Sequence, residues 1–422
     1  TGIPAFNYGQ WDASHPMLQG FYYRLYAGID YCNHYLNVCG DADASHVAEV
    51  HFLRALYYYY LMDCFGNVPF TTEISANSPE QIKRADLFNW IEKELKEECL
   101  PNMQAPAART SKDAGYGRAD QDAANLLLAR MYLNAEVYTG TARWSEAKEY
   151  AEKVINGPHK LWTSGKNGWS AYQMLFMGDN GENGASQEAI LPLLQDGVTT
   201  TSYGTSLFLM ASCWKADMDE DQNYASSEFW AGNRTRSQFV AKFFPNGDAP
   251  AVAAAGDDRA LLFGKDRKLV AERPGEYTDG YAVAKFRNTY SDGSQPHNSK
   301  FVDTDFFLMR SAEAYLIAAE ADARLNGGTT TATGTGYLNQ LRTRAEAPTQ
   351  TQYSLNQILD ERAKELYYEG FRRTDLVRYG LFTSNKYLWD WKGGVLTGTG
   401  IAETRNIFAI PAEDKNANPN LV

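Results

Sequence analysis

The sequence predicts a mainly α-helical protein: a scaffold of helix pairs interrupted by a large irregular, loop-rich subdomain. Three observations carry this. Apolar residues recur at three- and four-residue spacing through residues 1–157 and again through 304–380. Residues 158–303 and 381–422 lose that period and are rich in Gly, Ser, Thr, Asn and aromatics. No run of about 18 apolar residues occurs, so no segment reads as a membrane-spanning helix. The 422 residues suffice for one large domain or two ordinary ones.

In order, residues 16–39 form a long aromatic-rich helix. Residues 42–65 follow, with Val47, Val50, Leu53, Leu56, Tyr57 and Tyr60 at helical spacing and Gly66 and Pro69 to stop it. Ser78-Pro79 is expected to open the next helix, since Pro suits a first turn. Its stripe is Ile82, Leu87, Trp90, Ile91 and Leu95, and Pro101 ends it. Residues 119–156 carry two stripes, Ala123-Leu127-Met131-Tyr132 and Trp144-Ala147-Ala151-Ile155, with a turn at 139–142. Alanines at contact positions make these an antiparallel pair that resembles a tetratricopeptide (TPR) unit, the building block of an α-α superhelix. A second pair is expected at 304–325 and 335–345, and a further helix from Ser354, a natural cap, to about Glu369. Between the pairs only 188–194, 239–244 and 282–286 look regular. Irregular stretches of that length are uncommon and are where specificity is expected to reside.

A net charge of −12 argues against nucleic acid as a partner. Five scattered cysteines show no metal-ligand spacing, and Cys32 and Cys39 are about 10 Å apart if helical, too far for a disulfide. All five read as buried hydrophobes or free thiols. None of the six histidines forms a spaced pair, and His51 reads as a satisfied core residue. No phosphate-binding, dinucleotide, zinc-protease or nucleophile-elbow motif is present. The 27 Tyr, 20 Phe and 9 Trp stand out, because aromatic faces on an acidic protein suit stacking on sugars.

Four phrases carry a family resemblance: EVHFLRALYYYYLMDCFGNVPF (49–70), GRADQDAANLLLARMYL (117–133), DTDFFLMRSAEAYLIAAEA (303–321), and LNQLRTRAEAP followed by LDERAKELYYEGFRRTDLVRYG (338–380). In sequence and order they resemble the SusD/RagB family. The resemblance implies one SusD-like domain on TPR-like helix pairs. It implies a non-enzymatic nutrient-binding lipoprotein of Bacteroidetes-type bacteria, lipid-anchored on the extracellular face of the outer membrane. Such a protein passes oligosaccharides, or peptides in one branch, to a SusC-like TonB-dependent transporter. The family's usual lipidated Cys is not in this sequence, so the anchor is an expectation from the resemblance.

Glu361, Glu365 and Glu369 are four apart, with Arg362, Arg372, Arg373 and Arg378 close by. Two such carboxylates could serve glycoside hydrolysis, but helical spacing favours an ion-pair network, and Arg54 and Arg310 read as buried posts of the same kind. Binding residues are chosen on chemistry: an aromatic platform plus planar polar groups. Tyr203, Trp214, Trp230, Asn233 and Arg234 are preferred over Trp162 and Trp169. Asp217, Asp219, Asp221, Asn223 and Glu228 fall at calcium-loop positions, but Gln222 stands where the turn wants Gly, so no cofactor is expected. Alternatives are peptide binding on the same scaffold, an all-α glycoside hydrolase, and a cytoplasmic TPR scaffold. The last leaves the long irregular middle unexplained.

Overall fold

The computed structural model describes residues 2–218, 223–245 and 255–422. Its α-helices in chain order are α1 (Ile3–Tyr8), α2 (Pro16–Cys39), α3 (Ala44–Phe65), α4 (Arg84–Lys93), α5 (Gln121–Leu133), α6 (Ala135–Thr139), α7 (Trp144–Asn156), α8 (Ala171–Met174), α9 (Thr205–Ala211), α10 (Ser237–Val240), α11 (Ser311–Leu325), α12 (Ala332–Arg344), α13 (Leu355–Leu366), α14 (Arg372–Arg378) and α15 (Ala412–Ala417). The strands are β1 (Val68–Pro69), β2 (Gln81–Ile82), β3 (Ala189–Leu193), β4 (Leu262–Phe263), β5 (Ala282–Val283) and β6 (Phe306–Arg310). They form three antiparallel pairs, β1 with β2, β3 with β6 and β4 with β5. The chain divides into two compact units. One holds residues 1–106, 119–150 and 373–422; the other holds 107–118 and 151–372.

In the first unit α2 packs along α3. Gly28 permits this, because a Cβ there would lie 2.4 Å from the Tyr57 ring. Asp43 caps α3 by accepting the N–H groups of Ser45 at 3.0 Å and His46 at 3.3 Å. Arg54 is buried within α3 and donates to Asn33 Oδ1 at 2.9 Å and to Glu94. Glu94 also meets His51 Nδ1 at 2.6 Å, so that histidine is satisfied inside the fold. Ser78-Pro79 does not start a helix. Residues 81–82 pair with β1 instead, and α4 begins at Arg84, whose N–H is capped by Asn67 Oδ1 at 2.9 Å. The pairing captures the apolar residue Ile82 that periodicity alone assigns to a helix. Asp63 is a buried hub, accepting from the Tyr138 hydroxyl at 2.7 Å, Arg373 at 3.0 Å and Thr374 Oγ1 at 2.9 Å.

The second unit is built on the β3–β6 pair, in which Ala189 faces Arg310 and Leu193 faces Phe306. Residues 304–310 are therefore not the first turns of a helix; α11 starts at Ser311, directly after the strand. Helix α11 packs on α12 and α13, with Tyr315 edge-on to Tyr337. Ser354 and Gln357 form a capping box at the start of α13. The helix stops at Leu366, because Tyr367 is extended and Tyr368 has φ +61°. Glu369 thus reaches its partners from a turn, not from the helix face that carries Glu361 and Glu365. The apolar core of this unit gathers Trp214, Tyr224, Tyr172, Phe176, Phe286 and Tyr367 among others.

Candidate functional site

Three loops meet beside the β3–β6 pair. The first leaves β3 and runs from Leu194 to Gly204; the second enters β6 through residues 288–305; the third spans 223–233. Asp196 shapes the first by accepting the N–H groups of Val198, Thr199 and Thr200 at 3.0, 2.7 and 2.9 Å. These bonds hold its carboxyl far below the usual range. The second and third loops are sewn together. Ser227 N–H donates to Ser299 O at 2.6 Å and Ser226 Oγ to Lys300 O at 3.3 Å. Fully buried Asn288 donates to Ala225 O at 3.1 Å and Asn298 O at 3.3 Å and accepts from Asp303 N–H at 2.8 Å. Asn298 Oδ1 in turn accepts the N–H groups of Lys300 and Phe301. Trp230 N–H is tied to Ala211 O at the end of α9.

What these loops present is an aromatic platform. Tyr203 is 51% exposed and Trp230 38%, both high for rings of this size. Their centroids lie 6.1 Å apart with planes 41° from parallel, and Phe301 stands edge-on to Tyr203 at 5.4 Å. Phe208 supports Trp230 from α9 at 6.3 Å. The indole N–H donates to Glu228 Oε2 at 2.6 Å, which fixes the ring's rotation. Lys300 Nζ lies 3.7 Å from Glu228 Oε1 and over the Tyr203 ring at 4.9 Å. A hydrogen bond with Tyr203 and the Glu228 charge hold its ammonium above the usual lysine range. The result is a pair of tilted aromatic faces edged by one cation and one anion. Such a surface can stack on sugar C–H faces while its rim exchanges hydrogen bonds with hydroxyls.

Of the residues preferred on sequence, Tyr203 and Trp230 come together here. Trp214 does not: it is fully buried and stacks on Tyr224 within the core, so no ligand reaches it. Arg234 is also structural. Its guanidinium donates to the carbonyls of Gly232, Pro274, Glu276 and Asp279, which uses four of its five N–H groups. Asn233 turns back to Ser212 Oγ at 2.9 Å. Glu228, Lys300 and Phe301 complete the platform and were not singled out for it. No local pattern marks this half-buried Lys-Phe pair; the β3–β6 pairing and the bonds between the loops together bring it beside Tyr203 and Trp230. Within the calcium spacing, Asp219 and Asp221 lie outside the described residues. Asp217 pairs with Lys215 at 3.1 Å, and Glu228 is engaged by Trp230. No group of three His, Cys, Asp or Glu suited to a metal ion occurs among the described residues.

The three glutamates around α13 form an ion network. Glu365 is held by Arg310 at 2.8 Å and by Arg344; Glu361 by Arg259 at 2.7 Å and Arg342 at 2.9 Å; Glu369 by Arg310 and Lys285, each at 2.7 Å. Asp257 and Glu188 complete it through Arg259, Arg310 and Arg344. The five carboxylates face five cations, and Glu361 and Glu365 side chains are fully buried. An acid/base role for these glutamates has no access to substrate.

Comparison with known proteins gives a consistent result. The family model described as "SusD family" matches residues 127–421, and one described as "Starch-binding associating with outer membrane" matches residues 6–133. The chain is 39% identical to the starch-binding protein SusD of Bacteroides thetaiotaomicron, over 99% of this chain and 80% of that protein. A SusD-like protein from Bacteroides fragilis superposes with a TM-score of 0.75 at 18% identity, covering 99% of this chain and 88% of that one. A laminarin-binding SusD-like protein superposes at 0.73 and 22% identity, covering 99% and 87%.

Proposed function

The chain belongs to the SusD family, and on that premise we propose that it binds glycan at the bacterial surface without cleaving it. The oligo- or polysaccharide rests on the Tyr203–Trp230–Phe301 platform and passes to a partner TonB-dependent transporter of the SusC type. The protein is held on the extracellular face of the outer membrane by a lipid anchor. The observation that carries the glycan reading is the exposed, tilted ring pair with its indole locked by Glu228. Rings held in place by neighbours rather than by a ligand bind at low conformational cost. A starch-type α-glucan is the first ligand to test, because the relative at 39% identity is named for starch.

The test is isothermal titration with maltoheptaose, laminari- and xylogluco-oligosaccharides and short peptides, followed by product analysis of each mixture. Binding of one intact glycan class supports the reading and names the substrate. Binding of peptides alone replaces it with peptide capture. Release of new reducing ends overturns the non-catalytic part.

A further inference from the structure

The segment that leads into β6 carries two carboxylates, Asp303 and Asp305, each 5% exposed. Asp305 Oδ1 accepts the N–H of Gln195 at 2.8 Å, at the start of the loop that ends in Tyr203. Its Oδ2 accepts the Tyr116 hydroxyl at 2.7 Å. Asp305 is itself pinned by Asn180, which accepts its N–H at 3.0 Å and donates to its carbonyl at 2.9 Å. Asp303 secures the opposite loop: it accepts the Tyr290 hydroxyl at 2.8 Å and the His297 N–H at 2.9 Å. Where the loops touch, Gly197 has φ +65°, and a Cβ there would stand 2.8 Å from both Phe301 O and Asp303 Oδ1.

We propose that Asp305 is a positioning residue for the platform: by holding Gln195 it sets the placement of Tyr203 against Phe301 and Lys300, and so the affinity for glycan. This rests on the glycan-binding reading above. It goes further in assigning control of the platform to a buried carboxylate that touches no ligand.

The charged and titratable groups around Asp305 are Tyr116 on the 107–118 segment, Asp196 on the first loop and Asp303 on its own segment. Lys112 and Glu182 nearby pair with each other at 3.2 Å. Burial, with the like charges of Asp303 and Asp196, pushes the Asp305 carboxyl up to about 6 against the hydrogen bonds from Tyr116 and Gln195. Protonation converts two charge-assisted bonds into neutral ones about half as strong. Affinity therefore falls as pH drops through about 6. The sign for stability is opposite. A carboxyl raised in the folded state binds a proton that the unfolded chain releases, so this group's contribution to stability grows as pH falls through that window. Loss of affinity without loss of stability is the signature.

The experiment titrates maltoheptaose into wild type, Asp305→Asn, Tyr203→Ala and the double variant from about pH 5 to 8, with hydrogen exchange of residues 195–204 measured without ligand. Asp305→Asn should lower affinity about five-fold at neutral pH, the size of one weakened hydrogen bond, and flatten the pH profile. It should also speed exchange in the loop and add nothing in the Tyr203→Ala background. Wild-type affinity and exchange in Asp305→Asn, or a fully additive loss in the double variant, would overturn the proposal. Gly197→Ala should part the two loops and lower affinity independently, which covers the case in which Asp305→Asn does not fold. If wild type binds no glycan, the functional reading fails, and loop exchange alone then decides whether Asp305 holds Gln195.

Discussion

Trp230 and Trp214 show how far a residue's role depends on its surroundings. Both are tryptophans in the same irregular stretch, and both suit a sugar site by chemistry. One is exposed and hydrogen-bonded to Glu228; the other is sealed against Tyr224. Burial is set by what the rest of the chain places on top, which no local pattern of residues 214–230 contains. Trp230→Ala should lower glycan affinity tenfold or more, about 1.4 kcal/mol, while the melting temperature moves by less than about 2 °C. Titration and calorimetry of one preparation check both halves; a large drop in melting temperature would place the ring in the core. Glu365→Gln should behave in the reverse way. Burial disfavours its charge, but Arg344, Arg310 and Arg259 outweigh burial and hold the carboxyl well below its ordinary value of 4.5. Removing that charge leaves buried guanidinium groups undercompensated and should cost about 3 kcal/mol in urea unfolding, with glycan affinity per folded molecule unchanged. Because the folded pKa is depressed, this stabilisation is complete above about pH 4.5 and fades as pH falls further. The wild type should therefore lose more stability on acidification than Glu365→Gln does.

At the scale of elements, close approach of α2 and α3 depends on the missing side chain at Gly28. Gly28→Ala would gain helix propensity, about 1 kcal/mol, but it drives a methyl into the Tyr57 ring, and overpacking costs about 1–3 kcal/mol. Net destabilisation is expected in chemical denaturation; a stabilised variant would show that Tyr57 swings away freely. The same elements show what the sequence disclosed. Helix α3, the α5–α7 region and α13 are legible from their apolar period, and Ser354 caps α13 as expected, whereas Asp43 turns out to cap α3 and so starts it at Ala44 instead of residue 42. Two elements are misread because strand pairing overrides a helical pattern. Ile82 pairs with Val68, and Phe306–Arg310 pairs with β3, although each lies within an apolar spacing that suits a helix. The site was half legible for the same reason. Tyr203 and Trp230 stand out as aromatics in polar loops, whereas Lys300 and Phe301 join them through strand pairing and loop-to-loop hydrogen bonds between residues about 70 to 120 positions apart.

For the whole molecule, the net charge of −12 and the internally paired rim of the platform act in different ways on different cargoes. A neutral oligosaccharide has no charge for the long-range field to attract. Lys300 and Glu228 are already matched, so salt has little to screen at the site itself. A cationic peptide would be drawn by the acidic surface, and its association would weaken as the Debye length shrinks from about 10 Å at 0.1 M to about 3 Å at 1 M salt. Maltoheptaose affinity should therefore vary by less than about two-fold between 0.1 M and 1 M sodium chloride, a change under about 0.4 kcal/mol. Titration at the two salt concentrations checks this. A steep loss of affinity with salt would mean that charge, not ring stacking, holds the ligand. Lys300→Ala would then be the variant that removes most of the binding, where the platform reading assigns that effect to Trp230→Ala.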